Sequence, residues 1–572
     1  MSPGDQSTKL WFGLLIAIQI AIYGVLTQLS LQFSYDSPGL GRPLVGVLAL
    51  LAIATAAYLA SLAVAIRLAD CKRTLVAVFV VAIAIRGIIL FSEPIQEVDI
   101  YRYIWDGAVS SENISPYRFP PADVFQLVES GAQVDPNSTD LQHLVQTASS
   151  RPGLREALRR VHFAALPTIY PPISQHVFHF ADWLTPQNAS VVVRLRVMKA
   201  VIVGFDLGVM FLVAVLLSQA RMHRAWCLAY GWCPLVIKEF ANSGHLDSIA
   251  VFFTIASLVC LVSACASLRR RHSLLLLGFA GVFIGFGVGA KLYPVVLLPL
   301  LFVYAWRSMG KLHCACFTLI AALTIVVALL PMIGNKLVKQ DVAKQNAASD
   351  LDQQAQLKGL STFLHYWEIN DLLFMIVEEN VRPDVQDGQK PHWFVVTPSS
   401  WRSGITSRAS VLFGDKAQTP FLLTRLLTTL VFGGIVLWLC WRTLRDPSLF
   451  AESAFLTLAW FWFLAPTQNP WYWTWALPLV PFARNRVWLA VAGLGLVYYS
   501  RFWFEYHVAV TESWGLRYKG VEVFDFMVVW VEFLPFLLFL GFSAFLRSRQ
   551  SNSIEETDQS SQSLSRAASD DV

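Results

Sequence analysis

The amino-acid sequence predicts an all-α integral membrane protein, a bundle of about fourteen transmembrane helices with further helices in its extracytoplasmic loops. Three observations carry that expectation. Hydrophobic residues make up 55% of the 572 positions and charged residues 15%, with a mean hydropathy of +0.52, a balance typical of multi-span membrane proteins. Long apolar runs recur along the chain. The connections between them alternate between basic and non-basic, as the positive-inside rule demands of a chain that crosses repeatedly.

The apolar runs lie at 10–29, 44–66, 74–92, 190–220, 225–241, 246–267, 273–290, 293–306, 314–332, 420–441, 451–466, 472–483, 487–503 and 523–546. A crossing needs about 20 residues, so 472–483 is the weakest span, followed by 225–241 and 293–306. With both ends inside, the cytoplasmic turns receive Arg67/Lys72/Arg73, Arg221/Arg224, Arg269/Arg270/Arg271, Arg307/Lys311, Arg442/Arg445, Arg484/Arg486 and Arg547/Arg549. A single miscounted span breaks that alternation; a paired miscount preserves it. The first run, from Leu10, leads to no small-residue cleavage site and reads as a retained helix rather than a signal peptide.

The expected organisation follows. Three N-terminal spans occupy 1–92, and a large extracytoplasmic loop occupies 93–189. Spans four to nine fill 190–332, a second large loop 333–419, and five C-terminal spans 420–546. The Ser-, Gln- and Asp-rich tail, 547–572, has the composition of disordered chain. In the first loop, amphipathic stretches such as Leu154–Ala165 fit helices lying along the interface. The second holds the aromatic and aliphatic stretch Leu360–Glu379. Both loops are expected to cap a cavity.

Several function classes drop out. The net charge of +5 belongs to basic connections, and no soluble segment is basic enough to hold nucleic acid. None of the 8 cysteines falls in the external loops, so no disulfide framework is implied. Cys314-Ala315-Cys316 lacks metal-site spacing. Gly285–Gly289 lies within a span and reads as a close-packing helix face rather than a nucleotide loop.

The chemistry concentrates just beyond the third span, in Gln96–Gly107. Acidic groups are costly in hydrocarbon, so a carboxylate cluster at a span's exit marks a wet, working site. Read as a helix, Asp99, Tyr103 and Asp106 recur at i, i+4 and i+7 and share a face. Glu97 and Asp99 flank one residue and can turn toward one cavity. The competing reading is an interfacial helix whose tyrosines belong to an aromatic belt. The predicted topology sends Lys238–Asp247, Lys291, Gln468-Asn469 and Arg501/Glu505/His507 to the same extracytoplasmic face, the convergence that a site between helices requires.

Asp99 through Gly107 to Ser115-Pro116-Tyr117 resembles the opening loop of the GT-C glycosyltransferases, membrane enzymes that move sugars from polyprenyl-phosphate donors. Pro167–Pro172, Ser243-Gly244-His245-Leu246-Asp247 and Ala290-Lys291-Leu292-Tyr293-Pro294 look like the branch that uses polyprenol-phosphate mannose. The resemblance covers roughly residues 90–300. It implies a GT-C-like bundle, with Asp99 as the catalytic carboxylate and Glu97 as an acceptor-orienting group or the alternative base. The acidic motif here is Glu-Val-Asp rather than Asp-x-Asp, which leaves open whether Glu97 and Asp99 hold a divalent cation (Mg or Mn). No complete metal-ligand set is visible.

The remaining candidates each carry a competing structural role. Lys291 is placed to meet a lipid phosphate or to snorkel. His245 and Asp247 suit phosphate, sugar or metal contact, or a satisfied interfacial position. Lys199, the second candidate phosphate contact, shares a helix face with Asp206, and the two either line a crevice or pair with other helices. Trp105, Tyr117, Trp471 and Tyr472 suit sugar stacking or belt duty. Gln468 and Asn469, between Pro466 and Pro470, suit hydroxyl recognition or a helix-breaking turn. Tyr103, Asp106, Tyr117, Lys199, His245, Asp247, Lys291, Gln468 and Asn469 form the expected substrate-binding set.

The expected function is inverting transfer of a hexose, mannose first, from a polyprenyl-phosphate donor to a glycolipid or glycan acceptor at the extracytoplasmic face. The partners are then that donor, that acceptor and membrane lipid. The alternatives are a secondary transporter or lipid-linked sugar flippase, and a polymer ligase. Three Asn-x-Ser/Thr triplets, at Asn113, Asn137 and Asn188, fall on the external side; so few, with no retention signal, point to a bacterial inner membrane.

Overall fold

Charge placement and apolar run length dictate the architecture of the computed structural model, which describes residues 3–342, 368–384, 392–415, 417–508 and 520–546. Among these every regular element is helical, apart from one isolated parallel bridge between Ile369 and Thr467. Ten helices are long and apolar enough to cross a membrane: Gln6–Phe33, Leu44–Ala65, Val191–Gln219, Asp247–Ala266, Arg270–Ala290, Lys311–Met332, Thr419–Arg445, Pro447–Leu464, Arg486–His507 and Val521–Leu546. Each coincides with an expected run.

The other four expected runs are helical but short, charged or interrupted. The third is Lys72–Ile89, which carries Lys72, Arg73 and Arg86. The fifth breaks at Pro234, whose missing N–H cannot continue a helix, and resumes as a π-turn over Ile237–Asn242. The eighth runs Tyr293–Met309, opening as a tight 3-10 turn around Pro294. The twelfth is two short pieces, Pro470–Trp473 and Leu477–Phe482, separated by Thr474–Ala476 and punctuated by Pro478 and Pro481.

The first loop folds as a stack of short helices: α1 (Pro3–Ser30), α2 (Leu44–Ala65) and α3 (Lys72–Ile89) lead into α4 (Ile100–Ser111), α5 (Pro121–Ser130), α6 (Thr139–Ser150), α7 (Pro152–Arg159) and α8 (Pro172–Trp183), before α9 (Val191–Gln219). The amphipathic stretch Leu154–Ala165 is helical only as far as Arg159. Residues 100–109, most of α4, are buried, so this helix belongs to the core and not to an interfacial belt. It crosses α8 at Gly107, where a Cβ would lie 2.4 Å from the Phe178 carbonyl oxygen; only glycine permits that approach. Beside it, Tyr103 stacks on Phe178 at 4.6 Å.

Gly285–Gly289 does pack closely. Cβ atoms on Gly281 and Gly285 would lie 2.9 Å from Ile320 and 2.5 Å from Thr324 of the neighbouring helix. Within the second loop, Leu373–Glu379 and Ser399–Phe413 are helices. The first part of the Leu360–Glu379 stretch, through residue 367, and the tail at 547–572 lie outside the described residues.

Candidate active site

A cavity of about 1040 Å³ opens between the N-terminus of α4, the loop before α8, the 291–296 turn and the 461–475 and 498–506 segments. Its wall brings together Glu97, Asp99, Tyr103, Lys291 and Asn469 from three separate parts of the chain. Trp471 and Tyr472 line it too, as do Arg501 and Glu505.

The acidic wall is built by α4. Asp99 stands immediately before the helix with helical backbone angles, but its side chain caps no backbone N–H. Its Oδ2 instead accepts the Tyr170 hydroxyl at 3.2 Å, and the Tyr170 ring meets Tyr103 edge-on at 5.1 Å. The preceding turn is held from behind. Asn242 accepts from the Ile95 N–H (3.0 Å) and donates to Ser92 Oγ (2.8 Å) and the Glu93 carbonyl (2.7 Å). Arg102 donates to the His162, Phe163 and Leu166 carbonyls at 2.8–3.3 Å, fixing the loop that forms the adjoining wall.

Glu97 faces the same cavity with one carboxyl oxygen, Oε1, buried and unpartnered. Burial pushes its carboxyl up to about 8; the Lys238 ammonium pulls it back, and Asp99 and Glu239 push it further up. Glu97 is therefore neutral at pH 7.

The cationic wall is built where the Arg270–Ala290 helix ends. Lys291 leaves the helix in extended conformation (φ −156°, ψ 141°), which turns its side chain onto an aromatic stack. Trp475 lies between Tyr293, 4.1 Å away, and Tyr472, 4.4 Å away. Lys291 Nζ sits 4.4 Å from the Tyr472 ring centre and donates to Asp247 Oδ1 at 2.6 Å. Trp475 Nε1 donates to the same oxygen at 2.6 Å, while Asp247 Oδ2 is buried without a partner.

The other expected residues stand behind these walls. His245 does not line the cavity; it stacks on Trp471 at 4.2 Å, with Nε2 3.4 Å from Glu239 Oε2. Burial holds its imidazole well below the usual histidine range, with the Lys238 and Lys291 charges acting in the same direction. Asp247 does not line the cavity and meets it through Lys291 and Trp475, which do. Asp106 is buried, 3.2 Å from Gln175 Nε2; burial raises its carboxyl above the usual range against the pull of Arg102. Tyr117 donates to the Tyr170 carbonyl at 2.7 Å, positioning that residue from outside the lining.

Gln468 is fully buried, its amide donating to the Phe463 and Ala465 carbonyls at 3.0 and 3.3 Å; it shapes the turn and does not line the cavity. Lys199 is likewise fully buried and donates to the Ser92 carbonyl at 2.8 Å. Its place is in the scaffold of the acidic turn, away from the lining. Its helix-mate Asp206 pairs with Arg86 at 2.5 Å. Trp105 is buried outside the lining.

Sequence reasoning passed over Arg42, Arg425, Tyr170 as an Asp99 partner, Trp475 and Tyr506, all of which line the cavity. The Tyr170-Pro171-Pro172 break carried a signal, since an aromatic before two prolines sits in fixed, extended backbone. Among the described residues no three His, Cys, Asp or Glu side chains assemble as a metal-ligand set. Among those residues Glu97 and Asp99 gain no third such ligand. Comparisons of the chain with family models, curated proteins and solved structures find no match.

Proposed function

We propose that this protein is an inverting glycosyltransferase of the membrane, transferring a hexose, mannose first, from a polyprenyl-phosphate donor to a glycolipid or glycan acceptor. One observation carries the reading: a carboxylate, Asp99, held by the Tyr170 hydroxyl, and an ammonium, Lys291, share the wall of one large, aromatic-lined cavity. Attack of an acceptor hydroxyl on the anomeric carbon needs a base at the attacking oxygen and positive charge at the departing phosphate. Asp99 takes the hydroxyl proton. Lys291 stabilises the polyprenyl phosphate as the glycosidic C–O bond breaks. A lipid phosphate leaves readily once its charge is matched, so no general acid is required. Glu97, neutral at pH 7, donates a hydrogen bond to the acceptor.

In this reading the four short or broken segments complete fourteen crossings, and the cavity faces the outside of a bacterial inner membrane. The transporter reading lacks support of the same kind, because the polar groups gather at the span exits and loop ends around one cavity.

Labelled polyprenyl-phosphate mannose incubated with purified protein tests the reading through Asp99→Asn, which preserves shape and removes the base. Turnover should fall by about 10²–10⁴-fold with donor binding retained. A fully active variant removes Asp99 as the base, and sugar movement without release of polyprenyl phosphate replaces transfer by transport.

A further inference from the structure

A second polar cluster on the cavity wall takes no part in the chemistry above. Arg42, Gln96 and Tyr506 come from three distant segments: the loop between α1 and α2, the turn before α4, and the helix Ser500–His507. Arg42 Nη1 donates to Gln96 Oε1 at 2.8 Å and the Tyr506 hydroxyl donates to the same oxygen at 3.1 Å. A guanidinium has no acceptor, so the Gln96 amide must present its oxygen to Arg42 and its –NH₂ elsewhere. That Nε2 is buried with no partner, and so is Arg42 Nε. Gln96 itself is only 8% exposed.

Charge sharpens the point. Lys291 is matched by Asp247, whereas no carboxylate lies within 4.0 Å of the Arg42 guanidinium among the described residues. Glu93, Glu97 and Glu505 line the same cavity, and none of them closes on Arg42.

The cluster is also preorganised. Gln96 holds a left-handed backbone (φ 69°), a conformation that disfavours side chains and persists where the surroundings impose it. The loop carrying Arg42 lies flat against Tyr506, since a Cβ on Gly39 would sit 2.7 Å from that ring. Arg42 Nη2 is tied to the Ser37 carbonyl at 3.2 Å.

Two buried, unpartnered donors beside an unmatched cation require an acceptor that carries negative charge. We infer that Arg42, Gln96 and Tyr506 bind an anionic oxygen group, a phosphate or a carboxylate, on a molecule held in the cavity. The site stands independently of sugar transfer. Under the glycosyltransferase reading, on which this assignment rests, the anion belongs to the acceptor, because Lys291 serves the donor phosphate. The acceptor is then an anionic glycan or glycolipid.

The test uses full-length protein in detergent, titrated with inorganic phosphate, a water-soluble short-chain prenyl phosphate and neutral methyl mannoside at constant ionic strength, while the thermal midpoint is followed. Phosphate should raise the wild-type midpoint saturably. Gln96→Glu is the decisive variant, because a carboxylate there neutralises Arg42 and replaces the free donor by an acceptor. Its phosphate affinity should fall at least tenfold while its unliganded midpoint holds or rises. A merely structural cluster predicts a sturdier protein with the phosphate response intact. Should the variant not fold, Arg42→Gln is read the same way.

A prenyl phosphate response lost in Lys291→Gln but kept in Gln96→Glu assigns the Arg42 anion to the acceptor; one lost in Gln96→Glu assigns it to the donor. An equal phosphate response in Gln96→Glu and wild type overturns the inference. So does protection by methyl mannoside as strong as that by phosphate. Active Asp99→Asn with a preserved phosphate response sinks the transfer chemistry and leaves the anion site standing.

Discussion

Two of the cation–carboxylate pairs in the interior, Arg86–Asp206 and Lys291–Asp247, differ in how fully they are satisfied. Arg86 on α3 grips Asp206 on α9 through Nε and Nη2, at 2.5 and 3.2 Å, and directs Nη1 to the Gly231 and Ala82 carbonyls. Tyr230 donates to the same carboxylate at 2.8 Å. Both side chains are at most 1% exposed. Lys291 and Asp247 make a single 2.6 Å contact, the lysine keeps 17% of its side chain exposed beside the cavity, and Asp247 Oδ2 has no partner. A pair whose every nitrogen and oxygen already has a partner is suited to holding helices together. A pair left incomplete beside a cavity keeps capacity for a ligand, and removing one member of each should have opposite signatures.

The largest effect on folding belongs to Arg86→Leu. It strands the Asp206 carboxylate in a dry interior, which typically destabilises by about 3–5 kcal/mol. The unfolding midpoint in detergent should drop sharply, with turnover per folded molecule unchanged. Arg86→Leu with Asp206→Leu should recover most of the loss, since two apolar side chains leave no unpaired charge. A single variant as stable as wild type would erase the contrast.

Lys291→Gln inverts the pattern. The amide still donates to Asp247, so the midpoint should move far less than in Arg86→Leu. Turnover should fall by about 10²–10³-fold, the usual consequence of removing one preorganised group that stabilises developing charge. Polyprenyl-phosphate-dependent kinetics beside a melt decide it. Lost stability with intact turnover would make Lys291 another helix clasp.

That contrast also marks how far the sequence could be read. Apolar run length and basic turns located all ten long helices, because hydrophobic period and charge are local properties. The four remaining segments were visible as apolar but not as broken, since Pro234, Pro478 and Pro481 end helices only in the context of what packs around them. Asp99, Glu97 and Lys291 were legible because charge at a span's exit is anomalous in one dimension. Lys199 carries the same anomaly, yet the fold uses it on the Ser92 carbonyl, as it uses the neutral amide of Gln468 on those of Phe463 and Ala465. Nothing local separates a lysine that meets a ligand from one that donates to Ser92. Arg42 escaped notice for the reverse reason: a lone arginine between two spans looks like any loop cation until Gln96 and Tyr506 are brought against it.

The smallest effect, and the finest probe of the open side of the comparison, is the pH response of Glu97. Its folded carboxyl titrates at about 8 against 4.5 for the ordinary side chain, so the native state holds a proton that the unfolded chain has released throughout that interval. Stability from this group is complete below pH 4.5 and declines as pH rises toward 8, because unfolding then frees a proton. Glu97 is partly exposed, and water there keeps the slope below the limit of about 1.4 kcal/mol per pH unit for one whole proton. Glu97→Gln mimics the protonated form and should flatten the midpoint-versus-pH curve between pH 5 and 8, as melts across that range would read directly. Arg86→Leu should leave the Glu97 slope in place, since its partners are already closed. An identical slope in Glu97→Gln and wild type would mean that Glu97 is ionised at neutral pH, and Glu97 would then compete with Asp99 for the acceptor proton.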